Sequence, residues 1–154
     1  MEENILVALP DFKLYNNRSI YIGTILGGPF VAGYFAAENF KRLGRPALAK
    51  KSWIIAVAAT ILLIAAVLFI PGIEKVPPYI IPLVYTGLAQ YFIMQHQGEA
   101  IKSHLANGGK LYSAWRGLLI GLIGAAILVA CLFILLSLNP NLTITGSGST
   151  NAGA

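Results

Sequence analysis

The sequence predicts an all-α integral membrane protein whose four transmembrane helices pair as two antiparallel helix hairpins. Three observations carry that prediction. First, 56% of the 154 residues are hydrophobic and only 11% are charged, against about 25% charged in an ordinary soluble domain; the mean hydropathy is +0.71. Second, the apolar residues come in blocks. Segments 19–37, 52–73, 76–98 and 117–154 contain no Asp, Glu, Lys or Arg, and about 20 apolar residues cross a hydrocarbon core of roughly 30 Å. Third, the cations gather in two short connections: Lys41, Arg42, Arg45, Lys50 and Lys51 in one, and Lys102, Lys110 and Arg116 in the other.

These patterns exclude several classes. A soluble protein of four fully buried helices would lack polar surface to cover them. The net charge of +5 does not signal nucleic acid, because membrane topology already explains the two clusters of cations. Cys131 is the single cysteine, so there is no disulfide framework or paired-cysteine metal site, and no cofactor is expected. The start, Met1-Glu2-Glu3, is acidic where a cleavable signal would be basic.

Taken in order, segment 5–9 is apolar but too short to span, and Pro10-Asp11 closes it. The first helix starts near Asn17 to Ser19, which are capping residues, and runs to Leu43, where Gly44 is a natural stop. Pro29 lies inside it and sets its ring against the carbonyl of Ile25, four residues back. With Gly27 and Gly28 beside it, a kink or a break into two half-helices is expected. Arg45-Pro46 opens the second helix, with proline tolerated in the first turn; Pro71-Gly72 ends it. The third stretch is the weakest span, since it holds Pro82, Thr86, Gly87 and Gln90, and it continues past the membrane through Glu99 and Lys102 until Asn107-Gly108-Gly109 stops it. The fourth helix begins near Ser113. The expected spans are therefore about 19–40, 52–71, 78–97 and 116–138, forming one membrane domain over 1–138. Residues 139–154, rich in Gly, Ser, Thr and Asn, are expected to be a disordered polar tail.

Short loops rich in Lys and Arg remain cytoplasmic. Lys13, Arg18 and Lys75 then fall on the opposite side, so the expectation is a multi-pass protein of the inner (plasma) membrane with both termini outside. Trp53 and Trp115 follow the basic connections, where an interfacial aromatic belt would put them. Lys41, Arg42, Arg45, Lys50, Lys51, Lys110 and Arg116 can also touch anionic headgroups, at about 1 kcal/mol each.

Small residues recur at helical spacing: Gly23 and Gly27 with Gly33 beyond, and Gly117, Gly121 and Ala125. Within lipid, close backbone approach and dispersion hold helices together, so these are expected helix contacts, within one chain or between chains. The Gly27-Gly28-Pro29 break has two readings: a packed kink, or the exposed backbone that transporters use near the midplane. Gln90, His96 and Glu99 form a candidate polar site on helix three, although one His–Glu pair is half a metal site at best; a helix emerging into water explains them better. No nucleophile–base arrangement or P-loop spacing occurs, so no enzyme activity is expected.

The run Leu14-Tyr15, Ile20, Thr24, Gly27-Gly28-Pro29, Gly33, Asn39-Phe40 and Leu43-Gly44 resembles a pattern near the start of a family of small uncharacterised bacterial multi-spanning membrane proteins. Gln97-Gly98, His104 to Lys110 and Ser113 to Arg116 resemble the second basic connection of that family. The resemblance implies a bacterial membrane protein and no site residues. The functional expectation is a small non-enzymatic module that binds other membrane proteins or itself; the alternative is a transporter or channel subunit using the helix break and the polar residues of helix three.

Overall fold

Asn16 opens the first helix: its side chain accepts the Ser19 N–H at 2.7 Å, satisfying one of the free donors of the first turn. In the computed structural model, which describes residues 11–138, the elements are β1 (Lys13–Leu14), α1 (Asn17–Arg42), α2 (Pro46–Phe69), a 3₁₀ turn (Ile73–Lys75), α3 (Ile80–Ala106), β2 (Lys110–Leu111) and α4 (Ala114–Leu138). The two-residue strands pair in parallel, Lys13 with Lys110 and Leu14 with Leu111. The expected disordered tail at 139–154 and the short apolar segment at 5–9 lie outside the described residues. By length and apolar composition α1, α2 and α4 are each sufficient to cross a membrane; α3, with its glutamines, histidines and charges in the second half, is not among them.

The decisive feature is inside α1. Gly28 has φ 75° and ψ −171°, a backbone state open only to glycine, and Pro29 follows it. The helix does not merely bend there. Asn39 is hydrogen-bonded to the backbone of Tyr15, although 24 residues of straight helix would separate them by about 36 Å. Likewise, a β-carbon on Gly23 would collide with the ring of Phe35, a residue that would lie about 18 Å away along an unbroken helix. The chain therefore enters through 17–27, reverses at Gly28 and returns through 29–42. Gly44, at φ 72°, then stops the returning half, with Arg45 N–H reaching the Phe40 carbonyl at 2.8 Å.

The folded-back α1 is the hub. It packs on each of the other three helices, whereas α2, α3 and α4 form no comparable interface with one another among the described residues. The first half runs parallel to α4, with Ser19, Gly23 and Gly27 meeting Gly117, Gly121 and Gly124 in succession. The second half runs against α2, Gly33 facing Ala56 and Phe40 facing Ala49. Between the halves and α3 lies the core of Tyr15, Ile20, Val31, Ala32, Phe35, Ala36 and Ile93. The outward faces of α2 and α4 are strongly apolar and exposed, as at Ile54, Leu62, Phe69, Val129 and Phe133.

Two expectations from sequence differ from this architecture. The third and fourth helices do not pair as a packed hairpin; each packs on α1 instead. Residues 11–16 do not lie opposite the basic connections but beside them, through the strand pair and the contacts of Tyr15 with Asn39 and Arg116. The physical reason is the same in both cases: a first helix that returns on itself brings its start back to its end and fills the space between its neighbours. Lys13 and Arg18 thereby join the basic end, leaving Lys75 as the only cation in the described residues away from it.

Candidate functional site

Three features meet along the second half of α1. The first is a buried polar clasp at the basic end. Tyr15 N–H donates to Asn39 Oδ1 at 2.8 Å, and Asn39 Nδ2 donates back to the Tyr15 carbonyl at 3.0 Å. One side-chain amide thus satisfies both backbone groups of a residue that lies between β1 and α1. Asn39 Nδ2 also donates to Gln97 Oε1 at 3.1 Å, and Gln97 Nε2 donates to the Ala36 carbonyl at 2.9 Å. Tyr15, Asn39 and Gln97 are all 0% exposed, so the polar atoms are enclosed and paired, as buried polar groups must be.

Around the clasp the aromatic rings and arginines close ranks. The Tyr15 ring lies 4.7 Å from Phe35 and 4.6 Å from Tyr112, within the range where aromatic pairs add about 0.5–1.5 kcal/mol. Arg116 Nε donates to the Tyr15 hydroxyl at 3.0 Å while its guanidinium lies 4.3 Å from the Tyr112 ring centre. Arg42 approaches the same ring at 5.5 Å and pairs with Glu38 at 2.9 Å. Burial, reinforced by a hydrogen bond with Tyr34, pushes the Tyr15 hydroxyl up to about 12; Arg116 opposes the shift. On α3, His104 Nε2 donates to the Lys110 carbonyl at 3.1 Å and its ring stacks on Phe12 at 4.7 Å, which fixes the second connection against the first strand.

The second feature is the break. Pro29 deprives the Ile25 carbonyl of its helical donor, and the Tyr85 hydroxyl on α3 supplies one at 3.1 Å. Gly28 lies under Leu128 of α4, whose Cδ1 is 3.1 Å from where a β-carbon would stand. The turn is thereby sealed from both sides.

The third feature is a cavity of about 610 Å³ between α2 and α3. Its floor is the returning half of α1, with Pro29, Ala32, Gly33, Ala36 and Phe40. Its walls include Leu48, Lys51, Ser52, Ile55, Ala56 and Ala59 of α2, and Tyr85, Leu88, Ala89, Phe92, Ile93, His96 and Gln97 of α3. Polar and charged groups stand at the basic end; apolar ones line the rest.

The residues singled out from sequence are distributed among these features. Gly23, Gly27, Gly117 and Gly121 lie where α1 meets α4; there Gly124 is buried and Ala125 only half-buried. Gly33 meets α2. Trp53 packs on Phe30 at 5.2 Å, and Trp115 is 70% exposed. Gln90, His96 and Glu99 are not brought together: Gln90 reaches the Asn17 carbonyl at 3.4 Å, His96 Nδ1 bonds its own helix at the Phe92 carbonyl, and Glu99 extends into solvent beside Lys102 at 3.5 Å. No three His, Cys, Asp or Glu residues cluster among the described residues. Sequence reasoning missed Asn39, Gln97 and Tyr85 as structural keys. The one signal was their type, polar groups within or at the edge of apolar blocks, which need partners. Family models, curated proteins and solved structures yield no match to this chain.

Proposed function

We propose that the protein is a multi-pass membrane module that works by binding, not by chemistry, and that α1 is a re-entrant hairpin held among three crossing helices. The fold-back of α1 at Gly28 carries this reading. Its first half, 17–27, is about 16 Å long, half of a bilayer core of roughly 30 Å. Irregular backbone at that depth persists only when covered by protein or lining a cavity, and here Tyr85 and α4 cover it. The basic end faces the cytoplasm under the positive-inside rule, which puts the residue 11–16 segment inside and the end of α4 outside. The 27 residues of α3 are long enough to cross despite their polar second half.

The transport reading draws on the same break, since half-helix ends near the midplane are where transporters hold ions. The sealed Ile25 carbonyl and the packing of Gly27 and Gly28 on α4 favour the binding module over it.

Single cysteines in a Cys131→Ser background test the topology in whole cells. A membrane-impermeant maleimide should label Gly72 or Leu138 positions and spare Lys13 and Lys50. Outside labelling at Lys13 with protection at Lys50 would mean that α1 crosses fully, and the re-entrant reading would fall.

A further inference from the structure

We infer that the groove between α2 and α3 binds one anionic glycerophospholipid of the leaflet on the basic side, an inference that rests on the membrane reading above. The phosphate sits at Lys51, at the end of the groove where Ser52 and His96 also stand, and one acyl chain lies over Ala32 and Ala36.

Three observations favour this occupant. The groove is polarised like a lipid. Lys51, Ser52 and His96 line one end, and the trough beyond them is apolar down to Pro29 and Tyr85. His96 Nδ1 is committed as donor to the Phe92 carbonyl at 2.8 Å, which leaves Nε2 as an acceptor for a headgroup hydroxyl. Basic pockets between membrane helices on the cytoplasmic side are the expected seats of anionic headgroups.

Its length also fits a single leaflet. From Tyr85 to His96 the helix rises about 16 Å, close to half of a core of roughly 30 Å. A partner helix would have to run past the break into the other leaflet, where the groove does not continue. Finally, the groove opens sideways, since Ile55, Leu88 and Phe92 on its rim are 67%, 56% and 57% exposed. A lipid can enter from the bilayer without passing through water.

The test is native mass spectrometry of the full chain in mild detergent, titrated with phosphatidylglycerol or phosphatidylcholine. The expected result is one phosphatidylglycerol retained per chain. Lys51→Gln should weaken retention at least fivefold, whereas Lys50→Gln, a neighbouring exposed cation outside the groove, should not. Ala89→Phe or Ala59→Phe, from opposite walls, should expel either lipid by filling the trough. Equal behaviour of the two lysine variants, or full retention in both filled variants, would overturn the inference. So would a disulfide between two copies through Leu88→Cys in the Cys131→Ser background, because a second copy would then occupy the groove. Alkaline carbonate extraction of the wild-type chain is a separate readout: release from the membrane fraction would defeat the membrane reading itself.

Discussion

Replacing Asn39 by alanine should unfasten the returning hairpin. The substitution leaves the Tyr15 N–H and carbonyl, both fully buried, without their partner, and also removes the donor to Gln97 Oε1. A buried group left unpaired costs about 1–3 kcal/mol in soluble proteins, and side-chain hydrogen bonds in membrane helices average about 0.6 kcal/mol. Three orphaned groups at the edge of the apolar zone therefore predict a loss of about 2–5 kcal/mol, a large share of the 5–15 kcal/mol that ordinarily holds a fold. Gln97→Ala, which leaves the Asn39–Tyr15 pair in place, should cost about 1–2 kcal/mol. Because the two side chains share the 3.1 Å bond, the double variant should cost less than the sum of the two. The assay is reversible unfolding in mixed detergent micelles, followed by the fluorescence of Trp53 and Trp115. A loss below about 0.5 kcal/mol for Asn39→Ala, or strict additivity in the cycle, would show that the clasp does not hold the hairpin closed.

Four further outcomes are expected. Gly28→Ala should destabilise by about 1–3 kcal/mol because its φ of 75° excludes side chains, whereas Gly87→Ala, with nothing within 4 Å in mid-helix, should stabilise by up to about 1 kcal/mol; thermal melts in detergent compare them. Gly117→Leu would drive a side chain into the Ser19 backbone, 2.8 Å from its Cα, and should lower the same melting temperature, while Leu119→Ala on the exposed face of α4 should leave it nearly unchanged. Tyr85→Phe should cost about 1 kcal/mol and shift the isotope-edited infrared band of the Ile25 carbonyl to higher frequency, since that group loses its donor. For Tyr15 the folded pKa lies above the ordinary 10.0, at about 12; the stabilisation from keeping the phenol neutral is complete below pH 10 and lost as pH rises towards 12. The stability of the wild type relative to Tyr15→Phe should therefore fall across that window and stay constant below it.

Local chemistry was legible. Gly27-Gly28-Pro29 announced a break, and Ile25 was identifiable as the carbonyl that proline would orphan. Gly44 and Asn107-Gly108-Gly109 marked helix ends that the structure has near those positions. The donor that rescues Ile25 was not legible, because Tyr85 lies 60 residues away on another helix. Nor was the clasp. Asn39 adjoins a solvated, charged turn, and its type alone also suits a helix cap or a surface site. Only the return of Tyr15 to its side makes it a buried partner.

The sequence by itself determined the apolar class of the protein, the blocks that become helices, the stripe of glycines and the gathering of cations into connections, because each depends on composition and short-range spacing. The tertiary structure alone decided whether the chain goes straight on at Gly28 or turns back. Glycine and proline make a break at this point favourable but do not set the direction the chain takes after it. The choice is made by contacts between residues far apart in sequence: Asn39 with Tyr15, Phe35 with Gly23, and Gly117 with Ser19. Those contacts bring the start of the first helix to the basic end, and spacing along the chain carries no record of them.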